Sequence, residues 1–158
     1  MCLQGASAIE KILKEEHDPK IRVFVVWEPV LPTDLGAPST VTLSRVSDLR
    51  ASQYWDKGHL ISRSLGERDR RSVIWDYVAV YPPGALWDKA PPQPLYSHAP
   101  VVRSVEGTKD ALRQALQRLA AKASLCAGDR RRASFGAPAV ASSCLQQNYG
   151  LRGTRSHG

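Results

Sequence analysis

The chain has 158 residues, 42% of them hydrophobic, and a formal net charge of +7 at pH 7. This length and composition predict one globular domain with a core of its own. No stretch approaches the roughly 18 to 20 uninterrupted apolar residues that span a bilayer, and the N-terminus lacks the features of a signal peptide. The sequence therefore predicts a cytoplasmic protein with no membrane partner, although export of a longer parent protein stays open.

The positive charge is concentrated near the C-terminus. Residues 1–123 hold 17 Lys and Arg against 14 Asp and Glu, whereas residues 124–158 hold five Arg against one Asp. The second segment is rich in Arg, Ser, Gly and Ala without a sustained period, so we predict a disordered basic tail after a domain formed by residues 1–123. Because the domain itself carries mixed charges, nucleic acid binding is not favoured.

Three cysteines are present, Cys2, Cys126 and Cys144. Their scattered positions match neither a metal-ligand spacing nor a disulfide framework. We therefore expect no metal or other cofactor, and a reducing compartment.

The first half of the chain predicts an amphipathic helix followed by a buried strand. Residues 3–16 place Ala6, Ile9 and Leu13 on one side at helical spacing. The run 21–27 (IRVFVVW) is nearly all apolar and rich in branched side chains, which is typical of a strand covered on both faces. Together these segments indicate the α/β class.

The next elements are predicted from a helical stripe and from later apolar runs. Ser47 or Asp48 could cap a helix that extends to about Leu65, since a stripe at 100° per residue runs through this segment. A strand is predicted over residues 73–81, with a hairpin-like segment after it that ends at Trp87. A last helix is predicted to open at Thr108 and to run to about residue 123.

The tetrad Asp56-Lys57-Gly58-His59 resembles the signature around the general-base histidine of non-specific nucleases. A metal-dependent nuclease using Asp56 and His59 is therefore one hypothesis. The chain's one asparagine is Asn148, in the predicted tail, and the tetrad falls inside the predicted 47–65 helix. We therefore favour the interpretation that Asp56 and His59 are exposed neighbours on a solvated helix, with Gly58 on its packed face.

Three further residues are candidates for a site. Cys2 directly precedes a predicted helix, whose positive dipole end lowers a thiol pKa and favours the nucleophilic thiolate. Asp76 interrupts an apolar strand, where an ionised carboxylate is costly unless it is paired, so it is either functional or satisfied by a structural partner. Trp27 ends the first strand and is either substrate-binding or structural.

The motifs of the chain, taken together, resemble those of a group of short thioredoxin-like bacterial proteins. The corresponding stretches lie between residues 2 and about 119: Cys2-Leu3-Gln4-Gly5-Ala6, Val26-Trp27-Glu28-Pro29-Val30-Leu31, Asp48 through Asp56, Trp75-Asp76 to Tyr81, and Pro83-Gly84-Ala85-Leu86-Trp87. The resemblance implies a central mixed sheet flanked by helices, with the first strand of the family missing as if the chain were truncated at its N-terminus.

The same resemblance implies a thiol-disulfide oxidoreductase acting on a protein thiol or disulfide. Cys2 matches the second, resolving cysteine of the family's C-x-x-C, so the activity could be degenerate. A non-catalytic binding or scaffold domain, with Trp-rich loops and the basic tail contacting a partner, is the alternative. Because the missing strand would expose a sheet edge, pairing between two chains is a further expectation.

Overall fold

The computed structural model describes residues 3–31, 34, 36–66 and 74–133, with side chains described as far as Ser124. The chain divides into two units, residues 1–117 and residues 118–158. The α/β class is confirmed. The elements, in chain order, are α1 (Leu3–Glu15), β1 (Val23–Trp27), α2 (Thr40–Leu43), β2 (Ala51–Trp55), α3 (Leu60–Ser64), β3 (Val78–Val80), β4 (Tyr96–His98), a 3-10 turn (Val101–Arg103) and α4 (Val105–Ala133).

Strands β1 and β2 form a parallel pair, in which Val23 lies opposite Ala51 and Trp27 opposite Trp55. One face of this pair packs on α1. The core cluster there is made of Ala6, Leu13, Ile21, Trp27 and Val46. Apolar burial of this kind, at about 25 cal/mol per Å², stabilises the N-terminal part of the fold.

The predicted helix over residues 47–65 is wrong. Its first half is β2, in which burial alternates along Ala-Ser-Gln-Tyr-Trp with the period of a strand. Asp48 caps a turn instead of a helix, because its Oδ1 accepts from the N–H of Arg50 at 2.8 Å. The short α3 follows after a turn at residues 56–59. The helical stripe, which includes Tyr54 and Trp55, was a coincidence of spacing, because these two aromatic residues favour a strand.

Strands β3 and β4 form a separate antiparallel pair, with Ala79 opposite Ser97. The strand predicted over 73–81 is found only at 78–80, and residue 73 lies outside the described residues. The segment ending at Trp87 is not its hairpin partner; β4 is, after a long proline-rich connection. The nearer segment is part of a turn instead, in which the N–H of Ala85 donates to the carbonyl of Pro82 at 3.1 Å.

Helix α4 begins at Val105 and extends to Ala133, past the residue 124 at which the sequence predicts disorder. The cause is composition: six of the ten residues from 124 to 133 are Ala, Leu or Arg, which are strong helix formers even without an apolar stripe. Residues 134–158 of the predicted tail lie outside the described residues. Within the described part of the chain, no helix is both long and apolar enough to cross a membrane.

Candidate functional site

The first turn of α1 lies against a carboxylate from the segment before β3. Gly5 is buried, and a Cβ added there would overlap Asp76 Oδ1 and come within 3.3 Å of Val101 Cβ. Only glycine therefore lets α1 approach Asp76 so closely. Sequence reasoning singled out Asp76 but not Gly5, whose place in the motif Cys2-Leu3-Gln4-Gly5-Ala6 was its only signal.

Asp76 is held in an unusual backbone conformation at this contact. Its φ is +51°, in the left-handed region that residues other than glycine seldom adopt. Its carbonyl accepts from the N–H of Val101 at 3.0 Å. Its Oδ1 is buried and has no hydrogen-bond partner within the described residues. Burying a polar oxygen without a partner is costly, so the position of this carboxylate calls for a functional explanation.

Cys2 lies outside the described residues, so the prediction about its thiol stays a prediction. Helix α1 begins at Leu3, the residue directly after it. Gly5, which lies against Asp76, is the third residue of this helix.

Trp27 serves as a structural element of the core. Its side chain is 5% exposed, and its Nε1 donates to Gln53 Oε1 at 3.0 Å. The amide nitrogen of Gln53 donates in turn to the carbonyls of Leu43 and Val46, at 3.0 and 2.8 Å. Gln53 thus joins β1 and β2 to the last residue of α2 and to the segment after it. No feature of the sequence predicts this role, because the pattern around Gln53 predicts a helix.

Asp56 and His59 lie in the turn between β2 and α3, not on a helix, so the interpretation favoured from the sequence is wrong. The Asp56 carboxylate accepts from the N–H of Gly58 at 3.2 Å and from that of Ile61 at 2.9 Å. Asp56 thereby closes the turn. His59 has a φ of +55°, and Gly58 is exposed rather than packed. In the described part of the chain, no three His, Cys, Asp or Glu side chains are close enough to hold a metal ion.

Glu28, which sequence reasoning did not single out, lies beside this turn at the end of β1. Glu28 is 9% exposed, and its carboxylate accepts hydrogen bonds from both the hydroxyl and the N–H of Ser62. Burial raises the pKa of Glu28, and the Ser62 donors only partly oppose that rise. Glu28 and Asp56 follow neighbouring parallel strands, so they share the carboxyl edge of the β1–β2 pair.

Comparison of the chain with known protein families, with characterised proteins and with solved structures found no match.

Proposed function

We propose that this protein is a thioredoxin-like thiol-disulfide oxidoreductase in which Cys2 supplies the nucleophile. The observation that carries the proposal is the buried Oδ1 of Asp76, which has no hydrogen-bond partner among the described residues and lies against Gly5 in the first turn of α1. Cys2 directly precedes this helix in the sequence. A thiol at a helix N-terminus is favoured in its thiolate form. A carboxylate beside that turn offers a base for the thiol proton and an acid for the leaving group.

The proposed step is a thiol-disulfide exchange. The Cys2 thiolate attacks one sulfur of a substrate disulfide, a new S–S bond forms between them, and the second substrate sulfur leaves as a thiolate. Asp76 takes the proton from the Cys2 thiol and returns it to that leaving thiolate. Glutathione, the reductant, attacks the Cys2 sulfur of this mixed disulfide and releases the bound substrate sulfur as a thiol, which leaves Cys2 disulfide-bonded to glutathione. A second glutathione then displaces Cys2 as its thiolate and forms glutathione disulfide, so the two glutathiones supply the two electrons that reduce the substrate.

The test uses a chain in which Cys126 and Cys144 are serine, with an aromatic disulfide as reporter and glutathione as reductant. We expect Cys2→Ser to abolish catalysed reduction, and Asp76→Asn to slow it at least about tenfold. Asp88→Asn, at an exposed carboxylate, is the matched control and should leave the rate unchanged. Unchanged turnover in Cys2→Ser would reject the proposal.

A second candidate function is a non-catalytic binding domain, which the exposed aromatic side chains favour. Trp75 is 59% exposed and Trp87 is 40% exposed, although apolar side chains of this size are usually covered. This candidate predicts salt-sensitive binding to an acidic polypeptide, with polyglutamate as the probe, that is lost when residues 124–158 are deleted. Binding that responds to neither salt nor deletion would reject the role of the tail.

A further inference from the structure

A polar groove lies between α1 and the segment that follows α2, and we call it the α1 groove. Its cavity has a volume of about 430 Å³, within the range of small-molecule sites. Three of the side chains that line it are cationic, three carry a hydroxyl and one is a carboxylate. The seven residues are Ser7, Glu10, Lys11, Lys14, Ser44, Arg45 and Ser47. The lining therefore offers mainly positive charge and hydrogen-bond donors.

The carboxylate of the α1 groove is already bound by the protein. Glu10 Oε1 accepts from the hydroxyl of Ser47 at 2.8 Å, and its Oε2 accepts from the N–H groups of Ser47 and Asp48 at 2.9 and 3.3 Å. The ammonium of Lys14 lies 3.5 Å from Oε1. The negative charge of Glu10 is therefore balanced within the groove by Lys14.

Two cations and one hydroxyl of the α1 groove have no such partner. The side chains of Ser7, Lys11 and Arg45 are exposed and form no hydrogen bond or salt bridge with any residue that the structure describes. Glu15, whose charge also acts on Lys11, is bound by Lys109 at 2.8 Å. Lys11 and Arg45 therefore bring two unbalanced positive charges to one cavity.

A second groove shows that this arrangement is not general on the surface. It is lined by Leu60, Arg63, Ser64, Lys89, Ala90 and Pro91. There the guanidinium of Arg63 donates to the carbonyl of Gly58, and the hydroxyl of Ser64 donates to the carbonyl of Leu60 at 2.8 Å. The donors of α3 in this second groove are thus used within the protein, whereas those of the α1 groove are available to a ligand.

The unpaired groups of the α1 groove match the chemistry of a phosphate. The guanidinium of Arg45 presents a planar fork of donors that fits two oxygens of a phosphate, and the ammonium of Lys11 adds a compact positive charge. A phosphate monoester carries close to two negative charges at pH 7, which balance these two cations, whereas a carboxylate carries one. The cavity is larger than a phosphate ion fills, so it leaves room for an attached organic group.

We propose that the α1 groove binds a small phosphate monoester, whose phosphate group is held by Arg45, Lys11 and the hydroxyl of Ser7. The organic part of the ligand lies in the rest of the cavity, where Ser44 and Ser47 supply polar contacts. This site does not rest on the thiol chemistry proposed above.

The first test is isothermal titration calorimetry of the full chain with ribose 5-phosphate, at pH 7.5 and low ionic strength. We expect a Kd below about 1 mM, weaker binding of inorganic phosphate and no binding of ribose. Arg45→Gln should weaken binding of ribose 5-phosphate at least about tenfold, because it removes both the charge and the fork. Arg63→Gln removes one positive charge from the second groove and is the matched control, with a Kd expected within about twofold of the native value.

Three outcomes of this titration would overturn the proposal. The first is no binding of ribose 5-phosphate at about 10 mM. The second is an equal loss in Arg45→Gln and Arg63→Gln, which would show that the anion responds only to the net charge of the chain. The third is inorganic phosphate that binds more tightly than the ester, which would exclude a role for the organic group.

Lysine acetylation tests the place of binding without any variant. Acetic anhydride at limiting concentration modifies exposed lysines, and mass spectrometry of the peptides measures the rate at each position. We expect saturating ribose 5-phosphate to slow the acetylation of Lys11 at least about threefold, because the bound phosphate covers its ammonium. Lys20, which is exposed and does not line the α1 groove, is the internal control and should keep its rate. Equal rates at Lys11 with and without the ester would overturn the site.

Discussion

Arg50 holds Asp48 in a two-bond ion pair while it also binds the C-terminal end of α1. Its Nε donates to Asp48 Oδ1 at 2.9 Å and its Nη2 to Asp48 Oδ2 at 2.7 Å. The remaining donors of the guanidinium reach the carbonyls of Leu13 and Glu16, both at 2.5 Å, and that of Asp18 at 3.2 Å. The last carbonyls of a helix lack partners within the helix, so Arg50 joins the start of β2 to α1 by satisfying them.

We predict that Arg50→Lys destabilises the fold by about 2 kcal/mol, in the range of hydrogen bonds to charged groups. Lysine keeps the charge but lacks the planar fork that binds a carboxylate and helix carbonyls at once. Urea unfolding followed by circular dichroism at pH 7 measures the loss. Arg45→Lys, at an exposed arginine, is the control and should be neutral. A loss no larger than that of the control would show that the carbonyl contacts do not matter.

The pH dependence of stability should report the Asp48 ion pair. Hydrogen bonds from the side chain and the N–H of Arg50 lower the pKa of Asp48 to about 2. The unfolded chain binds this proton near pH 4, so stability is present above that pH and is lost as the pH falls toward about 2. We expect Asp48→Asn to be less stable than the native chain at pH 7, and this difference to shrink by more than half at pH 2.5. A difference that persists unchanged at pH 2.5 would contradict this account.

Glu28 should have the opposite pH dependence. Because burial raises its pKa, the folded state favours the protonated form, and this contribution is lost as the pH rises through the raised pKa. Glu28→Gln, which keeps an acceptor for Ser62, should gain stability relative to the native chain between pH 3 and pH 7. Thermal unfolding across that range measures it. Asp110→Asn, at a carboxylate that is 65% exposed, provides the comparison and should show no such gain.

The contact between Gly5 and Asp76 predicts a coupled pair of substitutions. Gly5→Ala should destabilise the fold by about 1–3 kcal/mol, because the new methyl group overlaps Asp76 Oδ1. In an Asp76→Ala chain the same change should cost less, since the overlapping oxygen is absent. A double-mutant cycle of unfolding free energies measures the coupling. Ser7→Ala, on the exposed side of α1, is the control. Additive effects at the two positions would show that they do not touch.

The sequence predicted elements well where one period dominated. The α1 pattern and the apolar run of β1 were each placed within two residues of the observed bounds. The prediction failed over residues 47–65, because this segment has both the alternation of a strand and a helical spacing of aromatic residues. The segment forms a strand because it pairs in parallel with β1. A single sequence cannot show such a tertiary contact in advance.

The candidate site was only partly predictable for a related reason. Asp76 was recognisable because it interrupts an apolar run, and a carboxylate there conflicts with its surroundings. Gly5 and Glu28 gave no comparable signal, because their roles arise from the close approach of distant segments. The tetrad around Asp56 resembles a nuclease motif in the sequence, but the hydrogen bonds of the Asp56 carboxylate show that this residue closes a turn.

The link between α1 and β2 has a consequence for how the protein opens. Both Glu10, which accepts from Ser47, and Arg50, which donates to Leu13, join positions 37 residues apart. These hydrogen bonds break when either α1 or the segment at the start of β2 unfolds. We therefore expect α1 and β2 to unfold in one cooperative event. The four-residue α2 between them, capped by Ser39, has no buried residue. In amide hydrogen exchange, α2 should therefore exchange early and alone, while the amides of α1 and β2 exchange late and together.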